Sequence, residues 1–471
     1  MALVTHQEIK VEPYEIQHVL KLRVNKIPNQ HSAMFLSGIL ADGLEDSYVQ
    51  EMVASKTIKV KVEGEGDSRV VFSGLIQKIK VSARAGVYYI EVEALSHSIA
   101  LDIERVRRSY QRLSMPYKEL MEKAVEDYDG EVMDKVTEGA TIDEFILQYD
   151  ETAWRFVMRM ASRFNAPLIP EDILDEPKVY AGLPDKDGVG DLEDFTYNIT
   201  KRTGDYRVTK EHYKESVHEA DYLDYEIFSD QIFEIANKVT FKDRTLYVNE
   251  ALIEMADGIF RNVYKLTDKK GFHVNLMKNF PIVGLSLEGL VKDVAKDDVK
   301  IELDIDEPFE KDELCWFKYS TPYTSDNGGG FYCMPELDEK VRLHFPDCED
   351  EHAYSTSCVR IRFETSDERG VPDIKYWRTL AGKEIMFTPD GVKIRCLDNE
   401  IFINMIVEKG ILIQSNKDIN IIANEGAGIS MYAEGKVVMA AEKEFDAFCN
   451  GSQINMKNGT TKIRGSNIRH N

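Results

Sequence analysis

The end of the chain repeats, and that repeat constrains the fold more than any other feature of the sequence. From about residue 390 one short alternating strand returns roughly every eight to ten residues, beginning at Val392, Ile401, Ile411, Ile419, Ile429, Val437, Phe445 and Ile454, with a further one near Ile463. Apolar or small residues alternate inside each, as in Ile401-Phe-Ile403-Asn-Met405, Ile419-Asn-Ile421-Ile-Ala423 and Phe445-Asp-Ala447-Phe-Cys449. Between them lie Asp398-Asn399, Lys409-Gly410, Asn424-Glu425-Gly426, Glu434-Gly435, Asn450-Gly451 and Asn458-Gly459, residues that tolerate positive φ in tight turns. One face of every strand is apolar and needs cover.

A single ribbon of such strands has nothing to cover that face and leaves its sheet edges open, which invites aggregation. Three chains wound around one axis solve both problems: the inner residues pack against each other and edge strands pair between chains. The spacing therefore predicts an intertwined trimeric β-prism with Ile403, Ile413, Ile421, Met431, Met439 and Met456 turned inward. At about 4.8 Å per strand it would be a needle roughly 40 Å long. The competing architecture is a single-chain solenoid or sandwich, but solenoid turns usually need longer repeats.

Upstream, a chain of 471 residues is too long for one core, so several domains are expected. Residues 8 to about 100 read as strands: Leu20, Leu22 and Val24 alternate with polar residues, as do Ile58, Val60 and Val62. The period then changes. Pro116 opens a helix that places Leu120, Met121, Ala124 and Val125 on one face, and a second helix carries Trp154, Val157, Met158 and Ala161 with Asp150 as its N-cap. These helices read as packing elements between two β units. Short strands return at Val239-Thr-Phe241, Leu246-Tyr-Val248 and Val263-Tyr-Lys-Leu266. Between about 291 and 362, Val299-Lys-Ile301-Glu-Leu303, Leu314-Cys-Trp316-Phe and Lys340-Val-Arg-Leu343-His-Phe345, with Gly328-Gly329-Gly330 between the last two, fit a five-strand small barrel.

Charge and composition narrow the function. A net charge of -24 argues against a protein that grips nucleic acid, because that affinity comes from Lys and Arg neutralising phosphates. The opening Met-Ala-Leu-Val-Thr-His-Gln-Glu lacks the basic segment and apolar run of a secretory signal, and no apolar run approaches the roughly 20 residues of a membrane span. Synthesis and folding in the cytoplasm are expected. Cys315, Cys333, Cys348, Cys358, Cys396 and Cys449 are widely spaced, so free thiols are expected in place of disulfides.

Three segments, in order, resemble the spike and hub proteins of contractile injection systems: the fused hub and needle of phage tails, the late control D proteins and the VgrG proteins of type VI secretion. Gln148-Tyr149-Asp150-Glu151-Thr152-Ala153-Trp154-Arg155-Phe156-Val157-Met158-Arg159-Met160 is similar to the family's Gln-Tyr-x-Glu-Thr-x-x-Phe-x-x-Arg segment, and Arg108-Ser-Tyr-Gln111 before Ser114-Met-Pro-Tyr-Lys-Glu119 resembles what precedes it there. Phe331-Tyr-Cys-Met-Pro335-Glu336-Leu-Asp338-Glu339-Lys-Val341-Arg-Leu-His-Phe345 resembles the small barrel's Phe-x-Pro-Glu-x-Gly-Asp-Glu-Val-x-Val pattern, with Pro335 ending one strand before an acidic turn. Gly382-Lys-Glu-Ile-Met-Phe-Thr-Pro-Asp390-Gly391-Val resembles the entry to the family's β-helix.

The resemblance implies a mainly β chain with hub β-barrel 1 over 1–105, a helical linker segment of the hub over 106–170, hub β-barrel 2 over 171–290, an OB-fold neck over 291–365, a linker over 366–385 and a β-helical needle over 386–471. It further implies a homotrimer whose six hub barrels adapt a sixfold tail tube to a threefold needle in a phage tail, a tailocin or a secretion baseplate. Implied partners are the tail tube protein, baseplate wedge or hub-connecting proteins, the tape measure protein and a PAAR-like tip protein. The target membrane would be met mechanically. Unlike some relatives, the sequence has no lysozyme between barrel and needle and no toxin after it, so no enzymatic activity in cis is expected.

The chemical motifs give little. Gly284-Leu-Ser286-Leu-Glu-Gly289 is one residue off a Gly-x-Ser-x-Gly elbow and reads as a strand and turn. Cys315, Cys333, Cys348, His352 and Cys358 fall in one small domain without the two-residue spacing of a zinc site. The run from Asp293 to Glu313, containing Asp304-Ile-Asp306, lacks the spacing of a calcium loop and reads as a solvated strand face. His470, one per chain near the end, is a candidate tip metal ligand, although a disordered or cap-binding end is the favoured reading; no other cofactor is expected. The functional alternative is a β-helical tailspike-like glycan hydrolase or lyase, but the repeat is short and offers Tyr432 as its one Tyr or Trp.

Overall fold

In a computed structural model that describes residues 8–40, 56–63, 68–186, 190–192, 196–213, 218–256, 258–325, 327, 329–358, 371–396 and 400–469, the chain divides into two units, Met1–Ile361 and Arg362–Asn471. It is mainly β. In the first unit a long antiparallel path runs through Ile9–Glu12, Thr57–Glu63, Ser68–Arg84, Val87–Ser96, Ala33–Leu40, Ile16–Lys26, Arg244–Ala256, Ile259–Thr267, Leu223–Ser229 and Tyr197–Lys201. The N-terminal strands and those after residue 196 meet where Ile16–Lys26 pairs with Arg244–Ala256, placing Val24 opposite Ile253 and Leu22 opposite Met255.

Two cores lie on this shared sheet. One gathers Leu22, Val24, Leu36, Ile58, Val60, Phe72 and Val92, together with Ile253, Met255 and Phe260 from the later strands, and the other Ile227, Phe241, Leu246, Val248 and Tyr264. Each fully buried side chain of this size contributes about 1.5–3 kcal/mol over its exposed state. The expected alternation at Leu20, Leu22 and Val24 breaks at Leu20, which is exposed. A register shift between Val19 and Lys21 turns Val19 inward and Leu20 out, as a β-bulge does.

Both predicted helices form, at Tyr117–Val125 and Ala153–Ser162. Leu120, Met121, Ala124 and Val125 are all buried, together with Trp154, Phe156, Val157 and Met160, in a third core. The expected cap is displaced by two residues. Thr152, not Asp150, caps the second helix, its Oγ1 accepting from the Arg155 amide at 3.3 Å. Asp150 sits at φ 48° and accepts from Arg107 at 2.8 Å.

The small barrel has five strands in the order Trp316–Lys318, Asp298–Leu303, Ser286–Ala295, Lys340–His344, Tyr354–Cys358, around Val291, Ile301, Leu303, Val341, Leu343 and Phe345. Pro335 does not end a strand: residues 331–336 are irregular, and the chain re-enters the sheet through Asp338 at φ 61°. The reason is local, because the Asp338 amide donates to the Val291 carbonyl at 2.8 Å and fixes that turn from outside the segment. Gly328, of the triple glycine, lies outside the described residues.

The second unit holds two meanders. One runs Lys375–Arg378, Lys383–Thr388, Gly391–Cys396, Ile401–Ile406 and Gly410–Gln414; the other runs Glu444–Cys449, Ser452–Lys457 and Thr460–Arg464. The strands expected from Ile419, Ile429 and Val437 form no ladder. Alternation specifies an apolar face, whereas a ladder also needs a hydrogen-bonding neighbour, and within one chain residues 415–443 pair with none among the described residues. The expected turn at Asp398-Asn399 and the tip candidate His470 lie outside the described residues.

Candidate functional site

The helical segment is fastened to the small barrel by side chains of the motif read at 148–160. The helix Ala153–Ser162 points Arg159 into the protein, where it is 3% exposed. Its Nε and Nη2 donate to Glu151, the latter at 2.9 Å, its second Nη2 bond goes to the Leu147 carbonyl at 2.8 Å, and its Nη1 donates to Asp350 at 3.0 Å. Burial disfavours the guanidinium, but Asp350 and Glu151 outweigh it and raise the Arg159 pKa. Asp350 is itself pushed up by burial, with Arg159 and Arg163 opposing the shift. Arg163 bonds Tyr117 at 2.9 Å and also pairs with Glu144.

The rest of the motif is accounted for in the same way. Gln148 accepts from Arg108 at 3.0 Å and donates to the Glu151 carbonyl at 3.1 Å. Thr152 donates to Asp102, and Phe156 stacks on Tyr110 with ring centres 5.4 Å apart. Phe145 and Leu147, just ahead of the motif, belong to the core of the small barrel, where Phe145 meets Phe317 edge-on at 5.1 Å. The segment leading into the helix Ala153–Ser162 thus contributes directly to the core of the small barrel.

A second fastening lies on the strand Arg105–Tyr110. Ser109 donates both its amide and its hydroxyl to Asp306, each at 2.6 Å. Next to it the Gln111 side chain donates to the Ile301 carbonyl at 3.1 Å and accepts from the Cys315 amide at 3.1 Å, while the Cys315 thiol donates to the Gln111 carbonyl at 2.9 Å. Asp306 therefore does not belong to a solvated strand face. It follows the strand Asp298–Leu303 in a turn and is drawn under the hub, because Ser109 offers two donors that water would otherwise supply.

Sequence reasoning found the motif but not its partners. Asp350 hides in the acidic stretch Asp347-Cys-Glu-Asp350, and only the fold selects it from its neighbours. Cys315 is committed to Gln111, His352 pairs with Asp347 at 2.7 Å, and Cys333 and Cys358 are exposed. Among the described residues no three His, Cys, Asp or Glu side chains gather in a metal-binding group.

Two serine and histidine pairs come within hydrogen-bonding distance without forming a catalytic arrangement. Ser286 Oγ lies 3.0 Å from His344 Nδ1, but the two residues are ladder partners on an exposed face, and His344 has no carboxylate partner among the described residues. Ser98, His31 and Asp102 form a chain with distances of 2.8 and 3.4 Å, yet Ser98 is fully buried and no substrate reaches its hydroxyl.

The residues expected to turn inward in the needle are uncovered in one chain. Ile413, Ile421, Met431 and Met439 are between 55% and 71% exposed, Met456 is 42% exposed and Ile403 half-buried. Ile403 stands opposite Ile413 and Met456 opposite Phe445 in their ladders, whereas Ile421, Met431 and Met439 lie in the stretch without one.

Residues 287–359 match the family described as the type VI secretion system/phage-baseplate injector OB domain. Among solved structures, the E. coli c3393 protein, a component of the type VI secretion system with structural similarity to the T4 bacteriophage tail proteins gp27 and gp5, superposes with a TM-score of 0.52 at 13% identity, over 75% of this chain and 99% of that one. A chain of the Francisella PdpA-VgrG complex in its half-lidded state gives 0.53 at 10% identity, over 88% of each chain. The lidded state gives 0.54 at 10% identity, over 86% of this chain and 79% of that one. No curated protein matches. Residues 287–359 thus match an injector OB domain, and the chain shares the fold of these secretion-system proteins.

Proposed function

We propose that the chain is the central spike of a contractile tail or injection baseplate, acting as a homotrimer that adapts a sixfold tube to a threefold needle and pierces the target envelope. The observation that carries this reading is the uncovered apolar repeat. Large apolar side chains left in water mark an interaction face, and Ile411, Ile413, Ile421 and Met431 are each more than half exposed in one chain. Other copies of the same repeat would cover that face and supply the missing ladder partners for residues 415–443.

In this role the protein works by stiffness. Contraction supplies the work, and a prism with few open edges transmits it without unfolding. Assembly with tail or baseplate components follows from the same reading, which also expects no chemistry in cis. The test is light-scattering mass, on the full-length protein and on a chain ended after Thr379. A full-length trimer that loses its stability on truncation supports the needle. A monomer in both cases overturns it and brings the glycan-enzyme reading forward.

A further inference from the structure

We propose that the contact between Ser109 and Asp306 makes the junction of hub and neck proton-responsive, tightening as the solution is acidified and loosening toward neutral pH. The contact lies within one chain, so the inference does not depend on trimer formation. Its basis is a contrast between the two fastenings. Asp350 is buried against two arginines, whereas Asp306 is equally an inter-domain carboxylate but forms no ion pair among the described residues. It is held only by the amide and hydroxyl of Ser109, at 2.6 Å each.

The groups around Asp306 offer no compensating charge. Glu302, from the preceding strand, adds repulsion, partly drawn off by Lys292 at 3.5 Å. Asp304 is paired with Lys340. On the hub side, the Tyr110 hydroxyl is kept un-ionised by burial, Arg108 is engaged by Gln148 and Asp127, and Gln111 is neutral. A carboxylate taken out of water beside a like charge and without a cation favours its neutral form.

The geometry accommodates that proton. A protonated Asp306 can donate to Ser109 Oγ while its carbonyl oxygen still accepts from the Ser109 amide, so one hydrogen bond reverses and none is lost. Burial moves the Asp306 carboxyl from its ordinary 3.8 up to about 6, against the pull of the two Ser109 hydrogen bonds. Between those values the docked junction holds a proton that the separated one does not. Docking is therefore favoured as pH falls through about 6, and the gain is complete below 3.8.

Asp306→Asn imitates the protonated state, with its amide oxygen accepting from Ser109 N and its amide nitrogen donating to Ser109 Oγ. The measurement is hydrogen exchange of the peptide covering Ser109, in the intact protein, from pH 5 to 8, corrected for the intrinsic rate. Protection in the natural protein should fall about tenfold across that range, while Asp306→Asn keeps the pH 5 level throughout. Equal pH profiles for the two proteins, flat protection in the natural one, or an Asp306→Asn chain that fails to fold at pH 7.5 would each overturn the proposal.

Discussion

Arg159 and Asp350 meet at 3.0 Å although 191 residues of sequence separate them. One stands on the helix Ala153–Ser162 and the other in the turn between Lys340–His344 and Tyr354–Cys358, so this pair ties the helical segment to the small barrel at a buried point. Glu151 takes the other edge of the same guanidinium, and the planar fork of arginine, with donors on both sides, is what allows one side chain to serve both acids.

Removing that fork should be severe. Arg159→Ala strands Asp350 without its closest cation and is expected to lower the unfolding free energy by about 3–5 kcal/mol, the usual effect of breaking a buried pair. Arg159→Lys keeps the charge but cannot reach both carboxylates and the Leu147 carbonyl together, so it should recover less than half of the loss. Denaturant unfolding of the first unit measures both, and a loss below about 1 kcal/mol for the alanine variant would contradict the role given to this residue.

Cys315 should be chemically silent in the folded protein. Burial pushes its thiol up to about 12, and its hydrogen is directed at the Gln111 carbonyl, so almost no thiolate exists near neutral pH. Cys333 and Cys449 are exposed and should react with a maleimide at once. Mass mapping of labelled peptides over time is expected to find Cys315 modified only after denaturant is added; early labelling would mean that the junction opens readily.

What could be read from the sequence follows what short-range pattern encodes. The helix at Ala153–Ser162 was legible because Trp154, Val157 and Ala161 share a face, and the neck strands because Val299, Ile301 and Leu303 alternate. Local pattern does not fix the cap, because Asp150 and Thr152 are both good capping residues, and what decides between them is Asp150 turning outward to Arg107. Asp306 and Asp350 were invisible as site residues for a different reason. Their environments come from residues about 190 positions away, and in a chain with 83 acids nothing local marks them out. The repeat shows the reverse case: Ile419, Ile429 and Val437 carry a clear pattern, but a single chain contains nothing for them to pair with.

The hub holds a second buried charge cluster with a different expected response. Lys26, 1% exposed, donates to Asp172 at 2.9 Å and to Glu234 at 2.6 Å. Burial opposes its charge, but the two carboxylates more than offset that and raise its pKa. Lys26→Met leaves two carboxylates buried without their shared partner and should destabilise the hub by about 3–5 kcal/mol. Adding Asp172→Asn and Glu234→Gln removes the stranded charge, so the triple variant should regain much of the loss. Thermal unfolding of the set distinguishes a charge effect from a packing effect: if the triple variant is no better than the single one, packing of the Lys26 stem is what matters.

The needle assignment can be tested with substitutions that a lone chain would tolerate. Ile413, Met431 and Met456 are 57%, 64% and 42% exposed in one chain, so changing all three to Asp should not harm a monomer and would make its surface more soluble. If three chains bury these side chains against each other, the same changes place nine carboxylates without partners in an apolar interior, where each uncompensated charge is heavily disfavoured. The expected outcome is a protein whose scattering mass falls from three times 53.9 kDa to 53.9 kDa, while the unfolding transition of the first unit stays where it was. A shift in that transition would point to general misfolding, and a trimer that survives all three substitutions would remove these residues from the needle core.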